Sequence, residues 1–569
     1  MNNVNSAEER LLTLAKTAAL LADAALPAPG PVPNVVYVSR GNALIIGAAS
    51  VAVPMARLLN GRLGVSVLLT AEAGDADAVS LPLECGFPVY CGTAVRIEGW
   101  LGAFEAHWQQ AGAILPDARQ GSFDLVLDLS PVPLIKLHQP PQGYFGPGSN
   151  PAAQMAAALA LSQMVGEFEK PRYFQYKERL CAHSRNRITG CNACIDVCSA
   201  KAISGAGDRI RIEPHLCMGC GACTTVCPSG ALGYAYPDAP HTGRRIKTML
   251  ATYAAAGGGV PVILFHSMER GSALIDELER LGKISGRQGV PARVLPLEVH
   301  HTASVGIDLW LAAIAYGAAG IAVLVTDEEA PQYLDALANQ MAISQAILSG
   351  LGYGGVHCRL LQVATAEALQ QALLQLPQGD VPQQPAAFHV AADKRNTLDF
   401  VLDHLYRHAP ARQDHVALPA GAPFGAVVVD TAACTLCMSC VGACPASALM
   451  DSQNLPQLRF VEKNCVQCGL CEKICPEQAI SMVPRISFTE EAKKAVLLNE
   501  SPPFCCIRCG KPFGSLLMIE NMLARLSQHG AFAGHPDRLR MCGDCRVADM
   551  MTSQREARII ELKPPPVLR

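Results

Sequence analysis

Eight cysteines between residues 434 and 475 repeat one spacing twice: Cys434-x2-Cys437-x2-Cys440-x3-Cys444-Pro445, then Cys465-x2-Cys468-x2-Cys471-x3-Cys475-Pro476. Such short gaps wrap one turn of chain around three corners of an iron–sulfur cubane, and the fourth cysteine, beyond a turn, reaches a neighbouring cubane. The proline after it ends that turn. The crossing assigns Cys434, Cys437, Cys440 and Cys475 to one [4Fe-4S] cluster, and Cys465, Cys468, Cys471 and Cys444 to its partner. Zinc or disulfide chemistry is a poor account of these eight. The spacing recurs elsewhere in the chain and would need the same exception there.

The recurrence is Cys217-x2-Cys220-x2-Cys223-x3-Cys227-Pro228, again the spacing of bacterial two-cluster ferredoxins. The half before it departs from the pattern. It reads Cys191-x2-Cys194-x3-Cys198, with Ile188 where the leading cysteine belongs and Ser199 where the proline belongs. One thiolate is missing, and Cys181 lies ten residues upstream of Cys191. We expect Cys181 to swing in, so that Cys181, Cys191, Cys194 and Cys227 hold one cluster and Cys198, Cys217, Cys220 and Cys223 the other. The rival is a [3Fe-4S] cluster with Cys181 free. The first reading gives every cubane four thiolates and the chain four [4Fe-4S] clusters.

Two further pairs, Cys506-x2-Cys509-Gly510 and Cys542-x2-Cys545, flank a helix expected at 518–526. A C-x-x-C-G turn is what a zinc-ribbon knuckle uses to aim two thiolates at one ion. One structural zinc is the preferred reading, and adjacent Cys505 keeps a fifth iron–sulfur cluster as the alternative. Cys85, Cys91 and Cys358 stand alone in apolar or glycine-rich surroundings and are expected to be buried small hydrophobes.

With 24 cysteines in 569 residues, the spacing points to reduced thiolates holding iron rather than to disulfides. The segment 1–10 is polar and acidic, with no export signal, so a cytoplasmic setting is expected. A net charge of −3 argues against a protein that grips nucleic acid. The longest apolar run, 309–326, contains Gly317 and Gly320 and ends at Asp327-Glu328-Glu329. It reads as a buried helix, a turn and a buried strand, not as a membrane span.

The fold class expected is multidomain α/β and α+β, with the two ferredoxin-like modules set between parallel-sheet domains. Residues 1–150 form an α/β domain, with strands at 43–46, 65–70 and 125–129 and a helix at 51–59. Its order is that of a nucleotide-binding βαβ unit, but the G-x-G-x-x-G fingerprint is missing, which favours a structural layer. A Pro/Gly-rich loop at 139–148 is expected on the surface, as linker or docking loop, followed by a helix over 151–168. Residues 151–244 are the first module. Residues 245–415 are an α/β domain with strands at 260–265, 292–295, 321–325 and 356–362. Residues 416–485 are the second module, and 486–569 the cysteine-pair domain.

Lys170 to Arg187 mixes bases and aromatics as RNA-binding surfaces do. Lying beside anionic clusters, it is better read as charge balance or a docking face for an acidic partner. His300 and His301 are neighbours on an extended chain and point in opposite directions, so they are not read as a ligand pair.

The motifs resemble the bacterial multi-cluster ferredoxin (polyferredoxin) proteins. The segments L-H-Q-P-P-Q-G-Y-F-G-P-G, E-P-H-L-C-M-G-C-G-A-C, A-L-P-A-G-A-P-F-G-A and C-V-Q-C-G-L-C-E-K-I-C-P are similar to one cytoplasmic 4Fe-4S group of that kind, over residues 40 to about 550. The resemblance implies association with molybdenum- or tungsten-dependent formate dehydrogenases and their TorD-like chaperones. It also implies a further ferredoxin-like stretch, which is absent here because 108–123 is short and has no cysteine. The segment 315–325 is similar to the small iron–sulfur subunit of methyl-viologen-type hydrogenases. Thr326-Asp327-Glu328 stand where that subunit's cysteines would fall, so only its fold is implied.

The function expected is electron transfer to or from a redox partner such as a formate dehydrogenase, with no catalytic residue of the chain's own. A flavin- or NAD(P)H-linked reductase subunit is one alternative. A maturation factor for a molybdoenzyme is the other.

Overall fold

The computed structural model describes residues 2–70, 85–110, 118–285, 289–452, 455–527, 529 and 534–552. The expectation of a short cysteine-free stretch at 108–123 therefore lies partly outside the described residues, as does the end of the cysteine-pair domain.

Asn42–Gly47 is almost entirely buried, as an apolar strand inside a parallel sheet must be. It pairs in parallel with Gly64–Leu69 on one side and Leu125–Asp128 on the other. Val89–Glu98 adds in parallel beside Gly64–Leu69, Phe104–Gln110 and Ala118–Phe123 follow antiparallel, and Tyr144–Phe145 on the other edge makes seven strands. The sequence reading found the parallel part and missed this extension, whose alternation is broken by Gly92 and Gly121. The Pro/Gly loop does not simply ride on the surface. Tyr144 enters the sheet, and its hydroxyl donates to Asp128 at 2.6 Å. Tyr144–Phe145 thus forms the edge strand beside Leu125–Asp128.

Two boundaries differ from expectation because packing crosses them. The helix Pro151–Ser162, capped by Asn150, buries Ala157, Ala158 and Leu161 in the N-terminal core. It stops at Ser162, not at 168, and Gly166–Pro171 pairs antiparallel with Asn34–Ser39. Conversely, the helix Asn2–Ala24 leaves the N-terminal domain. It places Ala15 and Ala19 against Ala239–Ala255 in the core of the middle domain.

The middle domain is a four-stranded parallel sheet in the order Val294–Val299, Val262–Ser267, Gly320–Val325, Cys358–Gln362. The apolar run resolves into the buried helix Ile307–Ala315 and the buried strand Gly320–Val325. No helix among the described residues is long and apolar enough to cross a membrane. The strand order reverses between Val262–Ser267 and Gly320–Val325, and the first module sits on the carboxyl edge beside it. A Cβ on Gly221 would stand 2.6 Å from Ser304 Cα, so the module's loop lies directly on the turn at 302–304.

In the second module Gly425–Val429 pairs antiparallel with Ile480–Ser487, and Gln457–Phe460 with Val496–Glu500. The module thus extends to Glu500 and does not end at 485. Beyond it come the hairpin Pro503–Cys505/Pro512–Ser515, the helix Leu516–Leu526 and the helix Gly543–Thr552.

Candidate metal centres

The cysteine runs share one backbone signature. In each regular half the second and fourth residues after the leading cysteine have positive φ: Gly219 and Gly221, Leu436 and Met438, Gln467 and Gly469. The third residue after each fourth cysteine does too: Lys201, Gly230, Ser447 and Gln478. Left-handed backbone costs a non-glycine residue about 1–2 kcal/mol. All such residues among those described lie in or between these runs. Alternating turns of this kind point successive amides at an anionic centre, which offsets the strain. Ala202, Ala448 and Ala479 donate their amides to the sulfurs of Cys198, Cys444 and Cys475 at 3.2–3.3 Å.

The half that starts at Ile188 breaks the signature, since its counterpart residue Asn192 has φ −114°. A different device brings Cys181 to Cys191. Ser184–Arg185 pairs with Ile188–Thr189 across Asn186 and Arg187, both with positive φ, which is the geometry of a type I′ hairpin turn. The Cys191 amide bonds to Ala182 O at 3.0 Å, which closes the loop beside Cys181. Cys181 is buried, and its sulfur takes a hydrogen bond from the Tyr176 hydroxyl.

The charges that raise the thiols come mostly from cysteines of the same expected group. Burial, and then the charges of Cys227, Cys468 and Cys181, pushes Cys191 up to about 11. Cys194 rises through burial, Cys227, Cys191 and Cys181. Cys223 rises through burial, Cys220, Cys217 and Cys198. In the second module Cys440 is pushed up to about 12 by burial, Cys437, Cys434 and Cys475. Cys471 rises through burial, Cys465, Cys468 and Cys444. Cys434, Cys437, Cys440 and Cys475 also line one cavity together. Clustered thiols that oppose each other's ionisation are a donor set that a metal centre turns into thiolates.

Spacing separates two kinds of site. The sulfurs of Cys506, Cys509, Cys542 and Cys545 all lie within 4.8 Å of one another, with Cys509 and Cys542 at 3.7 Å. Metal–sulfur bonds of about 2.3 Å give a tetrahedral edge of about 3.8 Å, so this set fits one ion. No three of the sixteen ferredoxin-type thiols come so close together, as befits ligands that each take a different iron. Cys505 is exposed and outside the tight set, so nothing in its position supports a fifth cluster. Ser515 donates to Thr435 O at 2.7 Å and Arg525 bonds Glu477 at 2.7 Å, which docks this small domain on the Cys434/Cys475 set.

Other residues support the cysteine loops, and of these Tyr333, Lys394 and Arg395 were not singled out in the sequence. Ser199, in place of a proline, bonds Tyr333 of the middle domain, and Tyr333 in turn bonds Cys220. With Cys220 ligating as a thiolate, which only accepts, the Tyr333 hydroxyl would donate to it and the Ser199 hydroxyl to Tyr333. Lys394 and Arg395 open the helix Lys394–Arg407, where cations oppose the helix dipole. Their position was visible in the sequence and their purpose was not. Lys394 Nζ bonds the carbonyls of Thr224, Thr225 and Cys227, while Arg395 bonds those of Lys463, Cys465 and Pro423. Lys170 bonds His215 O and Cys217 O at 2.7 and 2.8 Å, and Arg185 bonds Cys181 O at 3.0 Å. These two bases of the 170–187 segment thus serve the cysteine loops.

His300 stacks on Tyr173, whose ring covers Gly219, while His301 faces Tyr333. Cys85, Cys91 and Cys358 are half-buried, not fully buried as expected, and join none of the groups.

Models of the 4Fe-4S dicluster domain match residues 189–231 and 433–480. A ferredoxin of Pyrobaculum islandicum is 34% identical over 73 residues, 13% of this chain and 67% of that protein. The chain belongs to the ferredoxin-like iron–sulfur proteins. The pyruvate synthase subunit PorD of Thermotoga maritima is 38% identical over 58 residues, 10% of this chain and 58% of that subunit. The similarity covers 13% of this chain or less, and spans 58% of the PorD subunit and 67% of the ferredoxin.

Proposed function

We propose that this ferredoxin-like protein is a cytoplasmic electron carrier that holds four [4Fe-4S] clusters and serves a redox enzyme. The observation that carries the reading is the match of the 4Fe-4S dicluster domain to residues 189–231 and 433–480, over cysteine runs whose spacing supplies sixteen thiols. A [4Fe-4S] cluster, when bound, takes up or gives one electron with little movement of heavy atoms. The residues around the thiols exclude water, donate hydrogen bonds to sulfur and set cations behind the ligand loops. Each of these acts on the potential of a cluster. The printed name of PorD, a subunit of pyruvate synthase, supports a redox enzyme as partner. The resemblance in sequence favours a formate dehydrogenase.

Anaerobically reconstituted protein should contain about 16 iron and 16 acid-labile sulfide per chain, four of each per cubane. A value near eight removes one module from the proposal. Flavin in the acid extract would favour the reductase reading instead.

The C-terminal set is assigned one structural zinc. Zinc has no redox chemistry, so it should stay bound under mild oxidation that bleaches the clusters. Cys506→Ser should release zinc and leave iron unchanged. Loss of iron with zinc retained would reverse the assignment.

A further inference from the structure

The two dicluster modules are separated by about 200 residues of chain, yet their ligand loops touch. Gly190, next to Cys191, lies against Leu470, which sits between Cys468 and Cys471. A Cβ on Gly190 would stand 2.5 Å from Leu470 Cγ, and Leu470 is fully buried. Lys473, one turn on, closes the same seam by bonding Thr189 O at 2.9 Å and Gly190 O at 3.3 Å.

The middle domain braces this seam from behind. Lys394 reaches the loop of Cys227 and Arg395 the loop of Cys465, so two consecutive residues of one helix hold one module each. Two cations in a first helical turn cost stability in isolation. Their contacts with the two ligand loops offset that cost.

Resting on the four-cluster reading, we propose that the two modules form one continuous array. In it the Cys181/Cys191/Cys194/Cys227 cluster faces the Cys444/Cys465/Cys468/Cys471 cluster across the Gly190–Leu470 seam. Lys473, Lys394 and Arg395 are the positioning residues that hold this spacing. The Cys198/Cys217/Cys220/Cys223 and Cys434/Cys437/Cys440/Cys475 clusters then form the two ends. Two independent two-cluster carriers on one chain is the arrangement this excludes.

The test is the EPR spectrum of the fully reduced chain with iron measured on the same sample. Replacing Cys217, Cys220, Cys434 and Cys437 by alanine removes the end clusters and leaves the facing pair, about eight iron per chain. Its spectrum should remain broadened by spin–spin interaction, because the remaining pair is the one across the seam. Two narrow, additive signals at full loading would overturn the array. In the otherwise unaltered chain, Lys473→Met with Arg395→Met should keep about 16 iron and weaken the broadening. If the four-cysteine variant loads poorly, these two substitutions decide: a spectrum identical to the unaltered protein at equal iron overturns the proposal. Iron near eight in the unaltered chain refutes the four-cluster reading itself, and the array with it.

Discussion

Cys181→Ala is expected to remove about one iron per chain and convert one cubane to a [3Fe-4S] form, seen as a new near-isotropic EPR signal on oxidation. Ile188 occupies the leading ligand position and cannot bind iron. The hairpin over 184–189 places Cys181 beside Cys191, and closing so short a loop costs little beside a metal–thiolate bond. The Tyr176 hydroxyl donates to the Cys181 sulfur, which holds that side chain in place. The same change at Cys85, Cys91 or Cys358 should leave iron intact. If Cys181→Ala keeps all its iron and shows no new signal, the fourth ligand of that cluster comes from elsewhere.

Lys394→Met should lower the stability of the cluster-loaded chain by about 3 kcal/mol, since hydrogen bonds from a charged donor contribute roughly 1.5–3 kcal/mol and three buried carbonyls lose theirs at once. Methionine keeps the volume but supplies no donor. Lys177→Met is the matched control. Lys177 pairs with Asp393 at 3.5 Å but is half exposed, and such pairs contribute about 0–1 kcal/mol. Denaturant titration followed through cluster absorbance would compare the two. Equal midpoints would show that Lys394 is an ordinary surface-type lysine and that the brace between the domains does not depend on it.

The two dicluster motifs were legible in the sequence because their cysteine spacing is a local property. Gaps of two and three residues leave the backbone few ways to present thiolates, and Cys181 could be named because the gap at Ile188 demanded a donor nearby. The buried run 309–326 was equally readable, since a glycine-broken apolar stretch followed by three acidic residues suits a core and not a bilayer. The strands of 89–123 were not readable. Their pattern is interrupted, and they form because the edge of an existing sheet supplies hydrogen-bond partners.

What the sequence carried by itself was the spacing: cysteine runs of the 4Fe-4S dicluster kind in two places, and two cysteine pairs near the C-terminus. Tertiary structure decided everything that depends on approach between distant segments. It brought Tyr333 to Cys220 through Ser199, sent the first helix into the middle core, and set Lys394 and Arg395 on opposite modules. It also pressed Gly190 against Leu470. Ligand spacing is written in the distance between neighbouring residues, whereas these contacts arise only when separate surfaces are buried together. No local pattern encodes which surface a glycine or a lysine will meet.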